Sequence, residues 1–525
     1  MGTQSAAHCD LANQVRIALT PATKAYAIGL VSSVSPRLFQ LVRSRARRAR
    51  RARKARQNGT SGSDSDGSRH RELKPLSEEL LVVLKKSLEP HRFPTFCAVS
   101  IGGWSFLLPV IRYLLTNPVT KSRLSSGERR VLASFLAASL SGAAGLSLLN
   151  SGPVSHHSSS TSSTGGGVSR SGKDVIRDIQ VPLAEEGKPM AGRTMDLTLF
   201  AVTRAVDVVV TLLWEKWRAR RKQSGGWSWI ERRIEGGTVP AVFAVSSGVV
   251  MYAWFYTPSK LPKTYNKWIT DISETDARLI EALRRIRSGK FIYGHDTGEA
   301  ALLGTYCEDL GLPAELGDPA KTAPIPCIIV HEGHNVSCEV NALRRSFKGF
   351  KFAFQMYLAL NLLSKLRNPS KRALWLALKD SIQASSFLGA FIGLFWYGVC
   401  LTRTRLGPQL MSQAPVGFFD NEIIVRVGCM LCGWSIYLEE ARRRAEMAFF
   451  VAPRALAVVL PRKYDVTKRW REVLAFALSA GVIVTAAREE RRLLRGVFGR
   501  LLSSITGRRE TGSRARSVMW PFGGR

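Results

Sequence analysis

The chain has 525 residues, a formal net charge of +36 and eight cysteines scattered from Cys9 to Cys432. Long apolar blocks alternate with very polar connections, a mixture atypical of a cytosolic enzyme, and the cysteines do not form the even, closely spaced framework of a small disulfide-stapled domain. No Gly-Lys-Ser/Thr phosphate loop, Gly-x-Ser-x-Gly elbow or dinucleotide fingerprint is present, so nothing in the chain asks for an enzyme.

Residues 1–90 read as a basic, partly disordered region. No short apolar stretch follows a basic start, so a secretory signal is not expected. Arg43 to Arg56 places nine cations in fourteen positions. As a bare motif this run fits a nuclear signal or an RNA-binding arm, but no aromatic stacking pattern accompanies it. Beside hydrophobic spans it fits anionic lipid, and no nucleic-acid partner is expected. Ala25 to Val42 is a weak apolar segment, and Gly59 to Ser68 is Ser/Gly-rich.

A bilayer core needs about 20 largely apolar helical residues. Residues 91–270 supply four such blocks: Phe93 to Leu115, Val131 to Leu149, Leu197 to Trp214 and Val239 to Tyr256. A Ser/Gly-rich insert near 151–172 interrupts them and is too polar to order itself. In the connection 271–348, Ser273 to Arg287 is expected to be a basic amphipathic helix capped by Ser273, suited to a membrane surface, a partner helix or the protein's own bundle. Residues 349–470 hold a second set: Phe350 to Leu363, Ile382 to Leu401, Phe418 to Leu438 and Ala445 to Leu460. An extra span, Val473 to Ala487, and a basic tail with an amphipathic stretch, Leu493 to Ile505, complete 471–525. The expected fold is therefore an all-α, multi-pass transmembrane bundle of eight or nine spans. Lysine and arginine crowd both predicted sides, so the charge rule for orientation gives no clean answer.

The two sets share landmarks. Asn117-Pro118 and Asn368-Pro369 are each followed, after seventeen or eighteen residues, by Ser-Phe-Leu-x-Ala, at Ser134 to Ala138 and Ser386 to Ala390. Leu261-Pro262-Lys263-Thr264-Tyr265 is matched by Leu460-Pro461-Arg462-Lys463-Tyr464. A duplicated four-span unit with parallel pseudo-symmetry follows from this.

Between the halves lies Cys327-x3-His331-x2-His334-x3-Cys338, with Cys307 in reserve. Two thiolates and two imidazoles can satisfy a tetrahedral zinc, although the spacing is not that of a known finger. A turn with buried thiols and capping histidines, or a Cys327–Cys338 disulfide, are the other readings. His331-Glu332-Gly333-His334 is not a zinc-protease helix, which needs histidines four apart on one face. Cys429-x2-Cys432 lies within an apolar block and reads as packing. Charges inside spans are functional candidates by default. Arg204 and Asp207 stand three apart and can neutralise each other, whereas Arg112 and Arg426 lack local partners. Arg204, Asp207 and Arg426 are the candidates for a polar path in a transporter or channel.

Ala25-Tyr26-Ala27-Ile28-Gly29 with Ser35-Pro36-Arg37-Leu38, Asp196-Leu197-Thr198-Leu199-Phe200 leading to Arg204-Ala205-Val206-Asp207, Pro326-Cys327 with His331 and Cys338, Phe350-Lys351-Phe352-Ala353-Phe354 with Met356-Tyr357-Leu358, and Phe395-Trp396-Tyr397-Gly398-Val399-Cys400 together resemble the transmembrane protein 135 family. The likeness runs from about residue 24 to 470. It implies a peroxisomal or mitochondrial membrane protein linked to lipid metabolism and organelle morphology, distantly similar to the four-span mitochondrial inner-membrane translocase family. It implies no catalytic mechanism. The basic arm and the Ser/Gly insert depart from the family pattern.

Overall fold

A computed structural model describes residues 2–57, 76–116, 125–151 and 190–506, apart from 225, 227, 274, 335–336, 366–369, 416 and 462. The Asn-Pro landmarks, the Ser/Gly-rich stretches beyond Ser151 and Arg462 lie outside the described residues. The fold is all-α, and its only strands among the described residues are the two-residue segments Met190–Ala191 and Tyr464–Asp465. In chain order the helices are α1 (Gly2–Gln57), α2 (Leu76–Ser87), α3 (Phe93–Thr116), α4 (Ser126–Asn150), α5 (Met195–Gln223), α6 (Trp229–Tyr256), α7 (Lys263–Ser273) and α8 (Ala277–Arg287). They continue with α9 (Ala300–Asp309), α10 (Cys327–Val330), α11 (Cys338–Lys365), α12 (Lys371–Leu401), α13 (Ile424–Cys432), α14 (Ala441–Val459), α15 (Arg469–Glu489) and α16 (Gly496–Thr506).

Local chemistry sets several of these boundaries. Ser125 and Ser228 each head a capping box: the hydroxyl accepts from the backbone of Glu128 or Glu231, and that glutamate accepts in return from the serine N–H. Ser370 caps α12 by accepting from the Ala373 N–H at 3.1 Å. Ser273, expected to cap the amphipathic helix, instead ends α7 and donates to Thr270 O, and Asp276 caps α8 by accepting from the Arg278 N–H at 2.8 Å. A carboxylate at this position also complements the positive end of the helix dipole. The apolar face of α8 is buried at Leu279 and Ile280 in the protein's own core, and Arg284 donates to the carbonyls of Trp254 and Phe255.

Among the described residues, six helical segments are long and apolar enough to cross a membrane: Phe93–Thr116, Ser126–Asn150, Met195–Gln223, Trp229–Tyr256, Lys371–Leu410 and Val466–Glu489. The other three apolar blocks take different forms. Phe350 to Leu363 belongs to α11, whose first half carries Arg344, Arg345, Lys348 and Lys351. Phe418 to Leu438 is broken at Asn421 and Glu422, leaves a nine-residue α13 and ends in a 3₁₀ turn. Ala445 to Leu460 lies in α14, which opens on Arg442, Arg443 and Arg444 and carries Arg454 inside.

The helices form two compact units, with the boundary within α5 after Lys216. The first unit contains α1 to α4, α5 as far as Lys216, α15 and α16. In it α4 packs between α3 and α15. A Cβ on Gly145 would stand 2.3 Å from Ser100 Oγ, and one on Gly142 would stand 2.9 Å from Ala480 Cβ. Close approach through small residues is the usual means by which membrane helices gain contact. Ser134 Oγ accepts from Trp104 and from Thr485, tying the three helices, and the buried Glu472 accepts from Thr194 and Thr198. Leu493, Leu494 and Leu502 sink the C-terminal amphipathic stretch into this unit's core, and Ile505 is buried beside them in sequence.

The second unit holds the rest of α5 and α6 to α14. The helix expected to be the fourth span of the first half, α6, belongs to this unit, and α15, the extra span, belongs to the first. Packing thus groups the spans otherwise than their order along the chain does. The core of the second unit is aromatic: Phe243, Trp254, Phe255, Phe387, Phe395 and Trp396. Glycines again set the spacing, since a Cβ on Gly433 would lie 2.4 Å from Ala244 Cα and one on Gly398 would lie 3.1 Å from Gly428 Cα. Gly433→Val is expected to cost about 1–3 kcal/mol or more, because the neighbouring atom is backbone and cannot rotate away. Gly127→Ala, a helical position with nothing within 4 Å, should be neutral or gain about 0.5–1 kcal/mol. Thermal unfolding of the detergent-solubilised variants checks both, and equal midpoints for the two would contradict the close crossing at Gly433.

Candidate metal centre

Pro326 fixes the entry to α10, a single turn from Cys327 to Val330, and the His331 N–H donates to Cys327 O at 2.8 Å. The chain then reverses through Glu332 and Gly333, both in the left-handed region with φ of 59° and 70°. Gly333 adopts this conformation without cost, and Glu332 is held in it by its ion pairs. The reversal sends the chain back to Cys338, the first residue of α11. Three groups converge as a result: the ligand atoms of Cys327, His331 and Cys338 lie within 4.8 Å of one another. His331 is fully buried and the two cysteines are half-buried. Burial pushes the Cys327 thiol above the ordinary cysteine value, and the Arg403 guanidinium opposes the rise.

A fourth sulfur lies beside the histidine. Helices α11 and α12 form an antiparallel hairpin, so the start of one lies beside the end of the other. Cys400, near the end of α12 and buried, places its Sγ 3.6 Å from His331 Nε2. The Cys338 thiol acts electrostatically on both Cys327 and Cys400, but the groups whose ligand atoms all lie within 4.8 Å of one another are Cys327, His331 and Cys338, without Cys400.

The turn is clamped to both helices of the hairpin. Glu332 receives Arg345 at 3.0 Å and Lys348 at 3.4 Å, with Arg344 at 3.7 Å. Arg345 is buried; it also donates to Val330 O at 3.0 Å, and its guanidinium lies 3.9 Å from the centre of the Trp396 ring. A desolvated cation over an indole is worth about 2 kcal/mol. Trp396 stands one helical turn before Cys400, so the clamp fixes the α12 side of the cluster as well. Nearby, Arg403 and Asp420 form a two-point ion pair with both contacts at 2.9 Å, and Tyr293 donates to the same carboxylate at 2.6 Å.

His334, expected as the second imidazole, is occupied elsewhere. Its Nδ1 faces Glu332 O at 2.6 Å and its Nε2 faces the Arg344 guanidinium at 2.6 Å. Cys307 is buried in α9 within the apolar core, where burial pushes its thiol up and leaves it a packing residue. Cys429 and Cys432 are buried in α13, the Cys432 thiol donating to Cys429 O at 3.2 Å.

Of the charges expected to line a polar path, Arg204 and Asp207 belong to the first unit. The buried Arg204 guanidinium lies 5.4 Å and 5.7 Å from the ring centres of Phe200 and Phe498, and Asp207 sits among Arg495, Arg204 and the Thr211 hydroxyl. Their mutual neutralisation on one helix face is therefore supplemented by Arg495, which sequence spacing alone did not reveal. Arg426 belongs to the second unit, is exposed, and pairs with Glu422 one turn earlier.

Arg345→Met keeps much of the side chain's apolar volume but removes its contacts to Glu332, Val330 and Trp396. The expected loss is about 3 kcal/mol, at the low end of the cost of breaking a buried ion pair, because Arg344 and Lys348 remain on Glu332. Arg345→Lys should fall between, since an ammonium cannot make the planar stack. Denaturant titration in detergent micelles tests this, and a lysine variant as stable as the parent would remove the stacking role. No family model, curated protein or solved structure matches this chain.

Proposed function

We propose that the chain is a non-enzymatic integral membrane protein of peroxisomes or mitochondria, built on a duplicated four-span unit and acting on lipid handling or organelle morphology. Six apolar helices support the membrane part. The paired landmarks of the two halves support the duplication, with the three shorter apolar blocks completing eight spans and an extra one. The resemblance to the transmembrane protein 135 family supports the organelle and the link to lipids. The basic run Arg43 to Arg56, carried on α1, suits the anionic face of such a membrane.

The reading includes a structural zinc ion. The observation that carries it is the convergence of Cys327, His331 and Cys338 in the connection between the halves. Sulfur and imidazole donors at this spacing select zinc among the abundant divalent ions, because carboxylate and carbonyl oxygens, which calcium and magnesium require, are not what the three residues offer. A zinc ion here would hold a turn that otherwise relies on the Glu332 clamp.

Two measurements test the proposal. Tagged full-length protein should co-fractionate with peroxisomes or mitochondria and resist alkaline extraction; stable residence at the plasma membrane or nucleus, with neither organelle labelled, overturns the organelle reading. Elemental analysis of the purified protein should give about one zinc per chain, falling severalfold in His331→Ala. Absence of bound metal in the parent protein overturns the zinc reading.

A further inference from the structure

We propose that Cys400 is the fourth ligand of this centre, so that the site is a closed Cys3His set joining the connection to the end of a membrane-spanning helix. The inference rests on the zinc reading above and adds to it the identity of the last donor. Three protein ligands leave a tetrahedral ion open to water, whereas a structural site is closed by four. The two residues that sequence offers for the fourth place are otherwise engaged: His334 spends both ring nitrogens on Glu332 and Arg344, and Cys307 is packed in the apolar core.

Cys400 has the required position. With Zn–S of about 2.3 Å and Zn–N of about 2.0–2.1 Å, tetrahedral geometry puts a bound sulfur and nitrogen roughly 3.5 Å apart. The Cys400 Sγ and His331 Nε2 are 3.6 Å apart, and the Cys327 and Cys338 sulfurs lie within 4.8 Å of a ligand atom of the same histidine. An ordinary packing cysteine would turn its sulfur toward the surrounding apolar side chains; this one faces the only buried histidine among the described residues.

Charge agrees with position. Three thiolates and a neutral imidazole around Zn²⁺ leave one net negative charge, which a buried site must balance. Two guanidiniums stand near: Arg403 acts electrostatically on Cys327 and Cys400, and Arg345 on Cys400. Arg403 is matched by Asp420, whereas Arg345 shares the single carboxylate of Glu332 with Arg344 and Lys348, which leaves cationic charge beside the centre to offset it.

The test uses full-length protein purified in detergent, loaded with zinc or cobalt. X-ray absorption at the zinc edge of the parent protein should count three sulfurs and one nitrogen. In the cobalt form, Cys400→Ser should lose about a third of the thiolate charge-transfer absorption, and its zinc affinity should drop by more than the roughly 10–100-fold that loss of an outer-shell partner costs. Cys307→Ser and His334→Ala should change neither. Two sulfurs with two nitrogens, or two sulfurs with one nitrogen and water oxygens, overturn Cys400 as ligand while leaving the zinc reading intact. A parent protein that binds neither metal, or that yields a Cys327–Cys338 disulfide on non-reducing peptide mapping, overturns both. If Cys400→Ser does not fold, the sulfur count of the parent protein decides alone.

Discussion

Within a bilayer the hydrocarbon is as apolar as leucine, so helices gain little by leaving it for one another; they associate where their backbones can come close enough for dense contact. That constraint is written into both units. Gly142 and Gly145 let α4 press against α15 and α3, and Gly398, Gly428 and Gly433 do the same for α12, α13 and α6. The α11–α12 hairpin obeys it too: a Cβ on Gly389 would stand 2.8 Å from Ser346 O, and one on Gly393 would stand 3.0 Å from Ser346 Cβ. Because these contacts press one helix's backbone against the backbone or first side-chain atoms of its neighbour, they fix axial register as well as distance. Register is what brings the first residue of α11 and the penultimate residue of α12 to the same level, and so what brings Cys338 to Cys400.

Register alone would leave the turn from Cys327 to His334 free to swing. Glu332 and Arg345 prevent this by joining the turn to α11, and the stacking of Arg345 on Trp396 extends the tie to α12. Desolvation makes each contact stronger than it would be in water and makes losing one partner costly, since the survivor stays buried. The second buried pair, Arg403 with Asp420 and Tyr293, follows the same logic at the end of α12. Two ion-paired clusters thus flank the cysteines in the interior of the second unit.

Much of this was legible in the sequence, for identifiable reasons. Long apolar blocks with small residues and interfacial aromatics mark helices whatever surrounds them, so α3, α4, α5, α6, α12 and α15 follow from composition. Blocks that share a helix with several charges, as in α11 and α14, do not declare their form, because hydropathy averages over a window that the charges occupy. The Ser273 cap was misplaced because Asp276 competes three residues later with a stronger acceptor. Cys327, His331 and Cys338 stood out by local spacing. Cys400 did not, being 69 residues from His331. Its signal lay in symmetry about the hairpin: Cys338 is 30 residues before Asn368, and Cys400 is 32 after it. An antiparallel pair of helices ending at Lys365 and beginning at Lys371 must carry those two positions to the same end. Packing across units of the chain, such as the placement of α6 and α15, has no comparable local signal.

The identity of the fourth ligand changes what the centre does for the protein. A clip among Cys327, His331 and Cys338 closes a loop of about a dozen residues, which by chain-entropy reasoning is worth about 3 kcal/mol against the unfolded chain. Adding Cys400 closes a second loop of about 60 residues, which by the same reasoning adds about 4 kcal/mol more. The larger consequence is mechanical. With three local ligands the ion only tidies a turn, and the connection could move independently of the hairpin. With Cys400 the ion bonds the connection to a helix that is long and apolar enough to span the membrane, at the end where Arg403 and Asp420 already pin it. Displacement of α12 along its axis would then strain the metal geometry, and loss of the metal would free the connection to respond. The tie would hold a fixed relation between that apolar helix and the segment that carries Cys327 and His331.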